Sequence, residues 1–548
     1  TAHATLEGQG NESQSVQRRD KAAGQPVGRP VARRLNRAEY GNAVRDLLAL
    51  HIDTDALLPA DETVGGFDTI GAALSLSPSR LDRYLSSART ISRLAVGDPT
   101  IGPSFASQTY EAAQTQFQDT RISEDQPFGS RGGLTVTHHF PLDAEYIIRI
   151  RLRRNVLGYV RGLLEAHRLE IRLDGTRVAD RTVGGANTHT PAPLGFTGVF
   201  LGDPEWERQT LTADRDLEFR VRATAGAHML SVAFVDEPVE MEGVLQPPLT
   251  GLGLGFSEFS SAPAGRWGPA VDTVSIQGPF SPTGTSESPA RRRLLLCRPA
   301  ASHDEDSCAR RILTTLANRA YRGHATSVDI DRLLGRYRTA RAAAGSFEGG
   351  IQGALERVLV DPKFLFRVER DPPGATPGST YAVSDRDLAS RLSFFLWSSI
   401  PDDRLLDLAA QGTLGATTTL GAEVKRLLAD DRATTLISRF AVQWLGLGAL
   451  RPVTLDSEIF VEYDGNLRHA FLRETQLFVE DQLRSDRSVL DLLTARHTFV
   501  NDRLARHYGI SGVYGSHFRR VPVGDDRAGL LGHGSILTAT SYPTRTSP

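Results

Sequence analysis

Apolar positions recur with two different periods along this chain, and the change of period divides it. From Ala38 to Leu50, Tyr40, Val44, Leu47 and Leu48 stand three and four residues apart, the spacing of one helical face. Ser77-Pro78 predicts a second helix, with Ser77 as N-cap and Pro78 in the first turn, carrying Leu81, Leu85, Ala88 and Ile91 inward. From about Ser104 the period falls to two. Residues 133–140, 146–152, 169–173, 217–221, 228–234 and 271–276 alternate apolar with polar, and turns such as Asp174-Gly175 break them. After Arg291 the helical period returns. Thr326-Ser-Val-Asp329 and Ser384-Asp-Arg-Asp387 read as helix starts, and Pro401-Asp-Asp403 opens another with proline first. Leu388, Leu392, Phe395 and Leu396 make one apolar stripe; Leu467, Phe471 and Phe478 make another. Trp397, Phe440 and Trp444 are expected in the core.

These patterns predict a multidomain α plus β chain. Residues 1–30 are polar and aperiodic, a linker or tail; 31–100 form an N-terminal helical unit. Residues 104–285 form an inserted antiparallel β-sandwich, and 291–548 a C-terminal helical domain. At 548 residues, with 40% hydrophobic and 23% charged positions, the chain is long enough for about three cores. The formal net charge of −2 gives no reason to expect a nucleic-acid partner. Of 63 basic residues, only Lys21, Lys363 and Lys425 are lysines. No apolar run reaches the roughly 18 residues that span a bilayer. Thr1 is not a start residue, so the chain reads as mature or trimmed, and a membrane anchor would lie in a segment outside it.

Candidate chemistry is sparse. Cys297 and Cys308 flank one polar loop, which suits a disulfide and an oxidising compartment, hence a periplasmic or extracellular location. Four of the 14 histidines (His497, His507, His517 and His533) fall in the last fifty or so residues, with Arg527 and Arg545 among them. Imidazoles can ligate a metal or an external haem, but these spacings match no local metal motif. His507, His533, Arg527 and Arg545 are therefore the weak catalytic candidates. Arg37, Glu39, Asp46, Asp61, Glu62 and Asp68 read as arginine–carboxylate pairs tying a loop to a helix, or as a charged cleft. No Gly-x-Ser-x-Gly elbow is present.

Several phrases share one resemblance. They are Arg34-Leu-Asn-Arg-Ala-Glu-Tyr40 with Val44-Arg-Asp-Leu-Leu48, Gly65-Gly-Phe-Asp68, Leu392–Ser398, Phe499-Val-Asn-Asp-Arg-Leu-Ala-Arg-His-Tyr508 and Thr538–Pro548. Together they resemble the exported, planctomycete-type, cytochrome-associated proteins built from several domains of unknown function. The resemblance implies a c-type cytochrome module or protein as partner. The chain has no Cys-x-x-Cys-His, so no covalent haem is expected in it. The β region more loosely resembles calcium-binding, carbohydrate-binding jelly rolls. Tyr110-Glu111-Ala112 is similar to their opening strand, and Ala270-Val-Asp272-Thr-Val-Ser-Ile276 to their closing one. That resemblance implies calcium, with Glu111 and Asp272 among its ligands, and a glycan bound on an aromatic platform of Tyr159, Trp206 or Trp267. Two functions fit. One is an exported component of a cytochrome-linked redox or degradative system acting on a glycan or similar substrate. The other is a non-catalytic envelope or extracellular binding or scaffold protein.

Overall fold

In the computed structural model the described residues are 32–103, 107–113, 116, 118, 120–154, 158–160, 162–163, 165–185, 204–235, 268–284, 287–372, 374, 376, 381–450, 453, 455, 460 and 463–542. The side chains of 206 and 207 lie outside the description. Two compact units partition the chain: Thr1–Val96 with Pro289–Trp444, and Gly97–Ser288 with Leu445–Pro548.

The first unit is helical. Its principal elements are α1 (Arg37–Leu48), α2 (Pro78–Val96), α3 (Glu305–Ala320), α4 (Ser327–Ala344), α5 (Phe347–Leu359), α6 (Asp385–Trp397), α7 (Asp403–Ala410) and α8 (Thr417–Ala429). One apolar core joins α1 to α5, and a second joins α6 to α8. The start of α1 is set by a capping box. Asn36 Oδ1 accepts from the Glu39 backbone N–H at 2.8 Å, and Glu39 Oε2 accepts from the Asn36 N–H at 3.0 Å. Arg33 forks onto the same carboxylate through two bonds of 2.6 Å. Arg34, itself buried, pairs with Asp61 at 2.6 Å and fixes the following loop. Arg80 of α2 also pairs with Asp61 at 3.4 Å and the Arg37 N–H of α1 donates to it at 2.5 Å, so an arginine–carboxylate pair does tie that loop to a helix. Cys297 and Cys308 are bonded, their Cα atoms 5.9 Å apart, and close the loop leading into α3.

Three details of the helical reading are corrected. In α2 the inward stripe is Tyr84, Ala88, Ile91 and Ala95, while Leu81 and Leu85 face outward. Both stripes satisfy the helical period; the ring of Tyr84, 5.1 Å from that of Tyr40, selects the one that is buried. Pro401 precedes the N-cap of α7, which is Asp402, so proline stands just outside the helix. Phe440 and Trp444 are 46% and 51% exposed, whereas Trp397 is buried. Phe440 lies within a π-turn over Leu436–Ala441 and Trp444 ends the short helix after it, and the two rings stack on each other at the surface rather than in the core.

The second unit holds the strands β1 (Gln108–Glu111), β2 (Arg131–Phe140), β3 (Ala144–Leu152), β4 (Ala166–Leu173), β5 (Thr176–Gly184), β6 (Glu218–Ala223), β7 (Gly226–Val235) and β8 (Val271–Phe280). They form two four-stranded antiparallel sheets, ordered β1-β8-β3-β6 and β2-β7-β4-β5. One core takes side chains from both sheets, among them Ile148, Ile150, Leu169, Ile171, Val232 and Phe234. Burying each such side chain is worth about 1.5–3 kcal/mol. Asp174 and Gly175, both at positive φ, make the tight turn between β4 and β5.

The same unit continues with α9 (Gly465–Arg484), β9 (His497–Val500), α10 (Asp502–Tyr508), β10 (Arg519–Pro522) and α11 (Gly534–Ala539). The expectation of helix throughout after Arg291 is thus corrected: β9 and β10 pair antiparallel, His497 opposite Pro522 and Val500 opposite Arg519. Leu467, Phe471, Val500, Leu504 and Val521 form the core beneath this ribbon.

Candidate functional site

The residues that gather most chemistry lie where α9, β9, α10 and α11 meet. Along α9 the apolar stripe of Phe471 and Phe478 is interrupted by Glu474 and Thr475, both buried. Thr498 of β9 donates its hydroxyl to Glu474 Oε1 at 2.6 Å, and Tyr508 at the end of α10 donates to Oε2 at 2.7 Å. The Tyr508 oxygen accepts in turn from the Gly534 backbone N–H at 2.8 Å. Thr475 Oγ1 lies 2.9 Å from His533 Nδ1 and 2.6 Å from Ser535 Oγ. The His533 ring meets Phe478 edge-on at 4.8 Å between centroids, and its Nε2 stands 3.5 Å from Thr498 Oγ1.

Local sequence places each part. Asn501 caps α10 by accepting from the Leu504 N–H at 3.0 Å, and Gly509 ends it in a left-handed conformation, so Tyr508 turns toward α9. Gly534 allows the C-terminal segment to close on α9: a β-carbon there would fall 2.2 Å from Phe471 Cε1. Arg527 stacks on the Tyr508 ring, its guanidinium carbon 3.8 Å from the centroid.

Burial governs the electrostatics. Glu474, Thr475, Thr498, His533 and Ser535 are each no more than 1% exposed. Loss of solvent pushes the Glu474 carboxyl up to about 7, against the opposing pull of the Thr498 and Tyr508 hydroxyls and of Arg527. The same burial, with His497 and Arg527 nearby, drives His533 down to about 3, so its imidazole is neutral. Tyr508 is raised by desolvation and by Glu474 and stays a hydroxyl. The cluster can therefore hold a proton on Glu474 near neutral pH and pass hydrogen bonds through two threonines, a tyrosine and a histidine.

The four C-terminal histidines do not form one group. His533 enters the cluster. His497, its ring tilted against Phe478 at 5.5 Å between centroids, has Nε2 3.2 Å from Asp481 Oδ2. His507 packs edge-on against Phe471, and His517 is exposed and bonded to Glu124. Arg545 lies outside the described residues. Among the described residues no three His, Cys, Asp or Glu side chains gather as a metal-binding group. Glu111 is exposed on β1 opposite Thr273, and the Ala112 N–H donates to the Asp272 carbonyl at 2.8 Å, so the two acids sit on adjacent strands. Tyr159 is buried; Trp267 and the Trp206 side chain lie outside the described residues. Among the described residues, one stacked pair of exposed aromatics lies in the helical unit, while Phe128 in the second unit is exposed as well. Phe440 and Trp444 stack with rings 9° apart in plane, and Phe67 of the Gly65–Asp68 phrase lies 6.2 Å from Phe440. Sequence reading passed over Glu474. Its signal was an acid one helical turn from each of two buried phenylalanines.

Three family models match segments of the chain. Residues 33–97 match one described as a protein of unknown function (DUF1587), 308–369 another (DUF1595), and 383–510 a third (DUF1592). No curated protein and no solved structure matches. Glu474, Thr475, Thr498 and Tyr508 fall inside the third match; Arg527, His533 and Ser535 follow it, and the two sheets lie outside all three. The three models are those of the planctomycete cytochrome-associated domains of unknown function, and the chain is similar to them over those segments.

Proposed function

We propose that this chain is an exported component that works beside a c-type cytochrome, and that its buried Glu474–His533 cluster pins the C-terminal signature to α9 rather than serving as a reaction centre. The three matched cytochrome-associated domains carry the first part. For the second, the support is that every polar side chain at the centre of the cluster is sealed from solvent and already partnered. The Cys297–Cys308 bond is consistent with an oxidising compartment. The test is size-exclusion chromatography of an envelope extract containing the tagged chain, followed at the c-type haem absorbance and by haem stain. Co-elution with haem is expected; a chain that elutes free of haem absorbance contradicts the reading.

Two finer parts belong to the same proposal. The sheet orders, with successive strands largely alternating between the two sheets, support a jelly roll. The stacked, half-exposed Phe440 and Trp444 favour the second reading, a binding protein for a glycan or similar ring-shaped ligand, because an aromatic face suits the C–H face of a sugar. Calcium on Glu111 and Asp272 needs further oxygens to reach six to eight. Chelation with EDTA tests it: a lower melting temperature for the sheets supports the ion, and an unchanged one removes it.

A further inference from the structure

Beside the buried cluster, the second unit carries an apolar face that nothing in the described residues covers. Val489, Leu490 and Leu493 are 73%, 67% and 54% exposed, and Leu531 and Leu537 are 65% and 48% exposed. The two stretches are in contact. The Gly529 N–H donates to the Ala495 carbonyl at 2.9 Å, and a β-carbon on Gly529 would fall 2.5 Å from the Leu493 carbonyl carbon. Scattered exposed apolar side chains are ordinary; four leucines and a valine on adjoining turns make a patch.

Its rim is acidic. Of the arginines near it, Arg484 pairs with Glu480 at 2.9 Å, Arg487 with Asp481 at 3.7 Å and Arg496 with Asp525 at 2.7 Å, while Arg520, close enough to His497 to act on its charge, forms no ion pair among the described residues. Arg527 is turned in over Tyr508. Asp486, Asp491 and Asp526 form no ion pair among the described residues, and Asp491 lies between Leu490 and Leu493 in sequence. Size also discriminates. At on the order of 100 Å² each, five such side chains offer roughly 500 Å². That falls short of the roughly 800 Å² per partner of a stable dimer and suits the small interfaces of transient redox partners.

We infer that this face docks a protein whose own contact surface is apolar at the centre and ringed by lysine or arginine, as the exposed haem edge of a basic c-type cytochrome is. The inference rests on the cytochrome reading and adds the surface that makes the contact. Apolar contact at the centre supplies the affinity, and the unmatched carboxylates on the rim steer the encounter and orient the partner.

The probe is a lysine-rich c-type cytochrome, titrated into the full chain at ionic strengths of about 0.01 M and about 0.15 M. Binding is expected in the micromolar range at low salt and to weaken at the higher salt. Leu490→Ser with Leu493→Ser should weaken it by roughly five-fold or more through loss of the apolar centre. Asp491→Asn with Asp526→Asn should weaken it less and reduce its dependence on salt. Both pairs are at the surface, so unchanged circular dichroism and melting establish that the variants fold. If wild type and both variants bind alike, this face is wrong while the cytochrome reading stands. No binding by wild type overturns both. A chain that sediments as a dimer, and as a monomer when the leucines are replaced, shows that a second copy occupies the face and overturns the inference.

Discussion

Glu39 in the first unit and Glu474 in the second make a controlled comparison. Both are glutamates on helices within signature segments, and both are about 2% exposed or less. Burial alone would raise each. Around Glu39 that push is outweighed by the Arg33 fork and by Arg367 at 3.8 Å, and the carboxyl is held below its ordinary value of 4.5. Around Glu474 the two nearest donors are hydroxyls, and the carboxyl rises to about 7. A hydroxyl satisfies an oxygen's hydrogen bond without supplying the charge that keeps it ionised. Glu39 is thus a fixed anion in a charged clamp, whereas Glu474 carries a proton below about 7.

The sharpest way to break the comparison is to remove the charge from the clamp. Arg33→Leu leaves Glu39 buried with only the more distant Arg367, and should cost the first unit about 3–5 kcal/mol in denaturant unfolding. Glu39→Gln with Arg33→Leu should recover much of that loss, because no unmatched anion remains. Opening the disulfide by Cys297→Ser with Cys308→Ser comes next, at roughly 3 kcal/mol, read as a lower melting temperature insensitive to reductant. In the second unit Thr498→Val removes one hydroxyl from Glu474 and should cost only about 1–2 kcal/mol, since a neutral acid tolerates the loss. A cost as large as that of Arg33→Leu would mean that Glu474 is ionised.

The slopes against pH sharpen the contrast at smaller amplitude. Glu474 in the folded chain keeps its proton to about 7 against 4.5 when unfolded, so its stabilising share is full below 4.5 and is lost as pH rises to about 7. His533, at about 3 when folded against 6.5 unfolded, acts the other way: the unfolded chain binds the proton first, and stability rises from about 3 to 6.5. Between 4.5 and 6.5 the two trends oppose. His533→Asn should therefore expose a fall in stability with pH across that window, and Glu474→Gln a rise. Glu39 contributes stability above its unfolded value, lost only as pH drops through its lowered folded one.

How much of this was legible depends on which rule each residue obeys. Alternation marked six of the eight sheet strands, and Tyr110-Glu111 drew notice only through resemblance. Residues 176–184 escaped because nearly every side chain of that strand faces solvent, which leaves no apolar phase to detect. Caps were readable at Ser77, Thr326 and Ser384, where a short side chain meets the first turn. The two cysteines were readable for their common loop. The exposure of Phe440 and Trp444 was not, because their burial was expected from aromatic type alone and no periodic pattern locates the π-turn over Leu436–Ala441. His533 and Arg527 stood out by type, but their partners Glu474, Thr475 and Thr498 did not. A polar residue on a buried face is recognised by what comes to meet it, and α9, β9 and α11 are separated in sequence.

The difference between the two glutamates can be read directly by infrared difference spectroscopy, with the protonated-carboxyl stretch followed against pH in wild type, Glu474→Gln and Glu39→Gln. A band that titrates near 7 and vanishes only in Glu474→Gln, with no band from Glu39 above its ordinary value of 4.5, is the expected result. A Glu474 band that is gone by 4.5, leaving the two glutamates alike, would contradict the account.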